Sequence, residues 1–354
     1  AKMILTISYE GDVKRPTIRD LAKAADVSVA TVNRVLGGSA AVKQDTREAV
    51  RAAAEAIGFY GLGAIDSRLA AARPHFRFGF LLQQPNRVLY QDVAQALRAA
   101  ALNVRDCDVT VQIEFLEELA PQNIADRIKA LGAACDAIGV VAAVHPLVAQ
   151  AVDSLQANNV PVFALISQLS AVGQINYVGL DNWKVGRTAA WAFEHICKSP
   201  GKLAILVGNH RYRCQEMNES GFRSYFREYA PKFTLLEAQA TFESGAIAQE
   251  LTEKLLAEHS DLAGLYVAGG GISGALSAIR SYGKAGQIVV VGHDLMATTR
   301  QGLIDGSLTF LISHPLARLA EQAMTGMIKA STANSGMVNF TSILPFEIYT
   351  RENL

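Results

Sequence analysis

Arg34 carries the clearest chemical potential in this chain. A guanidinium presents two parallel donors that match the N7 and O6 acceptors of guanine in a DNA major groove. Its neighbours supply the setting, in the run TIRDLAKAADVSVATVNRVL, residues 17–36. At 100° per residue, Ile18, Leu21, Ala22 and Ala25 share one face of a first short helix, with Arg19, Asp20 and Lys23 opposite. In a second, Val32, Val35 and Leu36 gather on one side while Val29, Ala30, Asn33 and Arg34 gather on the other. Two such helices joined by a tight turn form a helix-turn-helix able to enter a DNA groove.

The elements that must hold Arg34 in place carry their own signals. Thr17 followed by Asp20 reads as a capping box, and Ser28 as the cap of the second helix. Asp26 falls in the turn, where a left-handed residue is often needed and Asp tolerates one. A third helix is expected from about Gln44 to Ile57, with Val50, Ala53, Ala54 and Ile57 inward and Gly58 as its stop.

The pattern T-I-x-D-L-A-x-x-A-x-V-S-x-A-T-V-x-R-V-L, followed by V-x-x-x-T-R-E-x-V, resembles the LacI/GalR family of ligand-responsive transcription regulators. The resemblance implies base readout by Val29, Ala30 and Arg34, with Asn33 a further candidate. Val and Ala offer only apolar contact, for instance to a thymine methyl. Thr17, Ser28 and Thr31 are the candidates for phosphate contacts, which set register without reading sequence. Three positions depart from the family pattern: Asp26 replaces the turn Gly, Asn33 the Ser before the reading Arg, and Lys43 the cap Ser of the third helix. The last substitution weakens that cap by roughly 1 kcal/mol.

Residues 61–75 occupy the place of the family's hinge, whose helix orders on the operator and levers a Leu into the minor groove. Leu69 is the matching wedge candidate. The usual Pro-Asn opening is replaced by Gly61-Leu62-Gly63, and the spacing to Leu69 is one residue longer; a flexible Gly/Ala linker is the competing reading.

Bulk properties bound the rest. The chain has 354 residues and no net charge, yet residues 15–74 hold nine Lys/Arg against six Asp/Glu, and residues 75–354 hold 22 against 25. A basic head on a neutral chain suits a localised DNA surface, with binding that weakens in salt. No apolar run approaches the roughly 18 residues that span a bilayer, and the start is too short in apolar residues for a secretory signal. Residues 1–14 are read as a flexible extension. Four cysteines at 107, 135, 197 and 214 lack any C-x-x-C pairing or clustered His, so no metal and no cofactor is expected and reduced thiols in a cytoplasm are the default reading; the resemblance implies a bacterial, nucleoid-associated protein.

From Phe76 onward, β-branched runs alternate with helical stretches, then the pattern restarts near Lys202. Strands are expected at 77–82, 109–115, 137–142, 161–166, 176–179, 202–207, 234–240, 262–268 and 287–292. Such alternation gives right-handed crossovers and doubly wound parallel sheets. Two sets give two lobes. The resemblance adds a type I periplasmic-binding-protein-like core with an effector in the cleft and three chain crossings. The domains expected are therefore a headpiece at 15–60, a hinge at 61–75 and a bilobed domain at 76–354. Its first lobe takes about 76–180 and 313–338, its second about 181–312 and 339–354.

Ligands of open α/β sheets bind beyond the carboxyl ends of the strands. Polar residues there form the candidate effector site: Gln84, Arg87 and Tyr90, with Gln83 and Asn86 beside them, after the first strand, then His145 after the third, and Ser167 and Gln168 after the fourth. On the second lobe come Arg213, Glu216 and Asn218, near His210 and Arg211, then Gly270, Asp294 and His314. By resemblance, Asp294 accepts hydrogen bonds from ligand hydroxyls and His314 is a polar crossover residue. For His145 the competing reading is a cap on the helix opening at Pro146, and for Arg211 and Arg213 solvated loop charges. Ile166-Ser167 stand where ribose-type binders have Asp-Arg, no Arg shortly precedes Gly221-Phe222, and Gly269–Gly271 replace an expected Asn. A small polyhydroxylated molecule fits; a pentose held in the ordinary way does not.

Two rivals from other classes follow from the same residues. Gly269–Gly274 satisfies G-x-G-x-x-G with Asp294 about 20 residues on, as an NAD(P)-dependent oxidoreductase would require. It falls late in the second lobe, however, rather than in the first βαβ unit. A secreted solute-binding protein would share the core but not the headpiece. With no nucleophile elbow or paired catalytic carboxylates, no catalysis is expected. The reading adopted is a sequence-specific regulator, a repressor, acting as a homodimer on a pseudo-palindromic operator under control of a sugar- or polyol-like effector. The absence of a leucine-heptad tail favours a dimer over a tetramer.

Overall fold

The structure, a computed structural model, describes residues 15–39, 41–71, 73–333 and 339–354. The expected flexible extension at 1–14 lies outside the described residues. The chain divides into a small helical unit ending at His75, with residues 106–108, and a larger unit formed by 76–105 and 109–354.

Among the described residues, four helices build the small unit: α1 Ile18–Ala24, α2 Val29–Leu36, α3 Gln44–Ala56 and α4 Leu62–Ala71. Thr17 and Asp20 close a reciprocal capping box on α1, and Ser28 Oγ accepts from the Thr31 amide at the start of α2. Lys43 supplies no side-chain cap to α3. Asp26 has φ +52°, and the Val27 amide reaches back to the Ala22 carbonyl, so the turn is a Schellman stop with Asp in the left-handed position. Leu21, Val32, Val50, Ala54, Phe59 and Ile65 form its core. Ile65 is the unexpected member. The segment read as a hinge is a helix laid on the headpiece's own core, with Leu62 and Leu69 packing beside Ile65 and Asp66 paired to Arg51 at 2.7 Å.

The larger unit contains two sheets. The first has the order β12-β5-β4-β3-β1-β2, from β1 His75–Leu82, β2 Asp108–Phe115, β3 Ala137–Val140, β4 Val162–Leu165, β5 Asn176–Leu180 and β12 Thr341–Leu344. Around it lie α5 Val88–Leu102, α6 Pro121–Ala134, α7 Pro146–Ala157 and α13 Leu316–Thr332. The second sheet has the order β13-β11-β10-β9-β6-β7, with β8 also on β6. Its strands are β6 Lys202–Val207, β7 Thr234–Leu235, β8 Gln239–Ala240, β9 Leu262–Val267, β10 Val289–His293, β11 Phe310–Ser313 and β13 Glu347–Tyr349. Helices α8 Asn182–Ile196, α9 Arg213–Glu228, α10 Gly245–Glu258, α11 Ile272–Ser281 and α12 Ala297–Asp305 complete this lobe. The central strands are buried on both faces, as helix-covered parallel sheets require.

Three details differ from expectation. Residues 339–354 do not all close the second lobe: Thr341–Leu344 pairs in parallel with β5 of the first sheet, and only Glu347–Tyr349 crosses to pair antiparallel with β11. Residues 234–240 are two short strands rather than one. The strand Phe310–Ser313 was not anticipated, because its run merges with the return segment after it. The chain crosses between lobes beside Asp181, His314 and Pro345. Residues 334–338, expected in the first lobe, lie outside the described residues.

One packing feature positions the cleft. Helices α8 and α9 touch through their backbones: a Cβ on Gly186 would strike the Asn218 carbonyl, and one on Gly221 the Trp183 carbonyl. Only glycine permits that approach, and it brings Asn182 and Asn218 together under the cleft.

Candidate functional site

The headpiece presents the face expected to read DNA to solvent. Val29, Ala30, Asn33 and Arg34 are exposed, Val29 by 40%, although an apolar β-branched residue has no reason of its own to face water. Ser28 is exposed too, and half-buried Thr31 holds its hydroxyl 2.9 Å from that of Ser28. Thr17 is exposed at the start of α1. Leu69, the wedge candidate, is half-buried against the headpiece core rather than free.

In the larger unit the lobes meet around a cavity of about 530 Å³, within the range of small-molecule sites. Of the twelve effector candidates, Gln84, Arg87, Tyr90, Asn218, Gly270, Asp294 and His314 line it. The other five do not. His145 caps α7, its Nδ1 accepting from the Leu147 amide at 3.2 Å. Ser167 is buried, and its Oγ accepts from the Cys214 amide across the lobes. Gln168 borders a separate groove beside β4 and β5. Arg213 and Glu216 pair with each other on the exposed side of α9, one turn apart and facing away from the cleft.

Cavity-lining residues that the sequence reading passed over include Asn182, Gln215, Phe242, Glu243 and His293. Glu243 is the most consequential. Its side chain is 6% exposed and receives Arg87 from the opposite lobe at 2.5 Å. Its other oxygen accepts from Gln215 Nε2 at 2.7 Å, and Gln215 Oε1 in turn accepts from the Gly208 and Asn209 amides. Gly270 faces this pair, and a Cβ there would collide with Glu243. Burial opposes the Arg87 charge, but Glu243 overcomes it and holds the guanidinium protonated beyond its ordinary range.

Backbone strain gathers at the same place. Among the described residues, six non-glycines have left-handed φ, and four of them, Ile166, Phe242, Glu243 and Asp294, line the cavity. Ile166 and Asp294 directly follow β4 and β10, and Phe242 and Glu243 lie two and three residues past β8. Strain of roughly 1–3 kcal/mol per residue persists only where the surroundings enforce it, which is characteristic of binding sites. Ile166 is the clearest case, since a β-branched side chain is poorly accommodated there.

The opposite wall is an acid–imidazole pair. Asp294 Oδ1 accepts from His314 Nδ1 at 2.7 Å and from the His314 amide at 3.1 Å. Burial resists the Asp294 charge, but His314 prevails and draws its pKa below the ordinary carboxylate value. His314 is 8% exposed, and its Nε2 has no protein partner. A buried, unsatisfied ring nitrogen on a cavity wall is a group positioned for a ligand. His293 lies alongside, its Nε2 3.0 Å from the Tyr266 hydroxyl, and burial lowers its pKa to about 4. Cys214 is on the wall with its thiol pushed up to about 12 by burial, which leaves it protonated and unreactive.

The glycine run is filled by protein rather than open to phosphate. Gly269 and Gly270 press on Gln215 and the Glu243 carboxylate, and an anionic pyrophosphate could not approach that carboxylate favourably. Among the described residues no cluster of three or more His, Cys, Asp or Glu could hold a metal ion, and no helix is long and apolar enough to cross a membrane.

A helix-turn-helix headpiece with a periplasmic-binding-protein-like core defines a class of DNA-binding regulators. Residues 17–61 match the family model for bacterial regulatory proteins of the lacI family, and residues 86–334 that for the periplasmic binding protein domain. The chain belongs to the LacI/GalR family of DNA-binding transcription regulators. It is 24% identical over 360 residues to catabolite control protein A of Priestia megaterium, covering 95% of this chain and 99% of that protein. A 43-residue stretch, 12% of this chain, is 58% identical to the HTH-type transcriptional regulator GalS of Salmonella typhimurium, and spans only 13% of that relative. In fold the core is similar to GanP, a glucose-galactose binding protein from Geobacillus stearothermophilus. There the TM-score is 0.70 at 17% identity, over 78% of this chain and 99% of that one. A solute-binding protein from Actinobacillus succinogenes with bound D-allose gives 0.69 at 20% identity, over 79% and 98%.

Proposed function

We propose that this regulator is a repressor whose operator affinity is set by a small polyhydroxylated effector held between the lobes. Arg34, with Asn33, Val29 and Ala30, reads base edges, while Thr17, Ser28 and Thr31 fix register on phosphates. A homodimer places one headpiece on each half of a pseudo-palindromic operator. The observation that carries the reading is the buried Asp294–His314 pair with its unpartnered Nε2 on the wall of a closed cleft. A carboxylate and an imidazole side by side match adjacent hydroxyls, which both donate and accept. The glucose-galactose and D-allose binding proteins of the same fold support a sugar-like ligand.

The effector acts by preferring one lobe arrangement. In the closed form the Val144 amide donates to the Arg211 carbonyl at 2.8 Å, Cys214 to Ser167, and Arg87 to Glu243, all between lobes. Selecting duplexes from a random library with the purified protein tests the reading. A two-fold-related site whose binding changes when a sugar is added is expected. Failure to enrich any sequence would overturn it.

A further inference from the structure

Taking the cleft to be the effector site, we infer that it selects uncharged polyols against sugar acids and sugar phosphates, with Glu243 the residue that enforces this choice. An arginine on the wall of a sugar cleft would ordinarily invite a carboxylate or phosphate. Here that invitation is withdrawn from inside the protein.

Glu243 engages Arg87 with one oxygen and Gln215 with the other, and Gln215 is anchored to the end of β6 by two backbone amides. For a ligand anion to take the Arg87 Nη1 that Glu243 holds, Glu243 would have to leave, and at any other guanidinium nitrogen the anion would lie beside that carboxylate. Leaving strands a buried carboxylate and unpairs Gln215, and the backbone of Gly270 closes one route out. Phe242 and Glu243 both have left-handed φ, at +50° and +63°, so the loop is committed to aiming this carboxylate inward.

The remaining lining groups offer an anion nothing better. The second acid, Asp294, is hydrogen-bonded to His314 through Oδ1, and its carboxylate would repel a ligand carboxylate directly. The other polar lining residues, among them Gln84, Asn182, Asn218 and Ser273, are uncharged. His293, whose pKa burial lowers to about 4, is neutral near pH 7. Among the described residues lining the cavity, Arg87 is the only fixed cation, against the carboxylates of Glu243 beside it and Asp294 opposite; the cavity's charge is zero or negative, and an added anion would be buried without a counter-ion. A cation gains little, because both carboxylates already have donors.

Isothermal titration of the full chain against matched probes tests this. The uncharged set is D-galactose, D-allose, D-tagatose, D-ribose and myo-inositol; the anionic set is D-galacturonate, D-gluconate and D-ribose 5-phosphate. At least one uncharged probe is expected to bind, and every anionic probe at least ~100-fold more weakly. Glu243→Gln, nearly isosteric, leaves Arg87 without its anion. It should narrow the gap by ~10-fold or more, with thermal unfolding confirming a folded variant. An anionic probe binding the unaltered chain as tightly as the uncharged ones would overturn the selectivity while leaving the cleft as a sugar-class site. Binding by no probe of either set would instead overturn the effector-site reading, and this inference with it. An unchanged gap in a folded Glu243→Gln protein would remove Glu243 from its role.

Discussion

At the residue scale, Arg34 and Asp294 stand at the two ends of the proposed switch. Arg34→Ala is expected to cost about 1–3 kcal/mol of discrimination at one base pair in each half-site. Competition with base-substituted operators would show it, and an unchanged preference at every position would contradict the readout role. In the cleft, His293 makes stability acid-sensitive. Its folded pKa is about 4 against an ordinary 6.5, so between those values the unfolded chain takes up a proton that the folded chain refuses. Stability therefore falls as pH drops through that window, by at most about 3 kcal/mol. Asp294 acts in the same direction lower down: its folded pKa is depressed, so its contribution is present above pH 3.8 and lost on further acidification. Melting temperatures from pH 7 to pH 4.5 should decline, and His293→Asn should flatten the slope. Asp294 and His314 were legible because they sit at a strand end and a crossover that the chain pattern marks. Glu243 was not, because residues 234–240 read as one strand and no periodicity marks the loop after it as a strand end facing the cleft. Gln215 was hidden among charges on α9, yet helical spacing puts it with Asn218, three residues on, and turns Arg213 and Glu216 away.

At the element scale, α4 is the departure from what the family pattern implies. Its sequence opens without the usual Pro-Asn, and Ile65 seals the headpiece core while Arg51 grips Asp66. A helix docked this way has its folding energy supplied by the headpiece rather than by DNA. Ile65→Ala should cost about 2–5 kcal/mol, seen as faster amide hydrogen exchange in α4 of the DNA-free protein and as weaker operator binding. Exchange in α4 as fast in the unaltered protein as in the variant would refute the docking. The sequence showed an apolar helix-compatible run here, but nothing local to it revealed the headpiece groove that receives Ile65. That contact depends on Phe59, which the Gly58 turn redirects inward.

At the scale of the whole molecule, the alternation of strands and helices was enough to give two parallel sheets, because burial on both faces writes itself as long β-branched runs, while the three crossings came from the family resemblance. The final assignment failed where that signal is weakest. β12 and β13 are four and three residues long, separated by Pro345 and Phe346, and neighbouring side chains alone do not say which sheet each joins. The cleft ligand and the operator are coupled only if the ligand prefers one lobe arrangement, and that coupling is the centre of the account. The direct measurement is the operator Kd with and without the best-binding uncharged sugar, for the unaltered chain and for Asp294→Ala. A change of about tenfold or more in the first, absent in the second while sugar-free DNA binding is retained, is predicted. An operator Kd that stays the same with the cleft filled would contradict it.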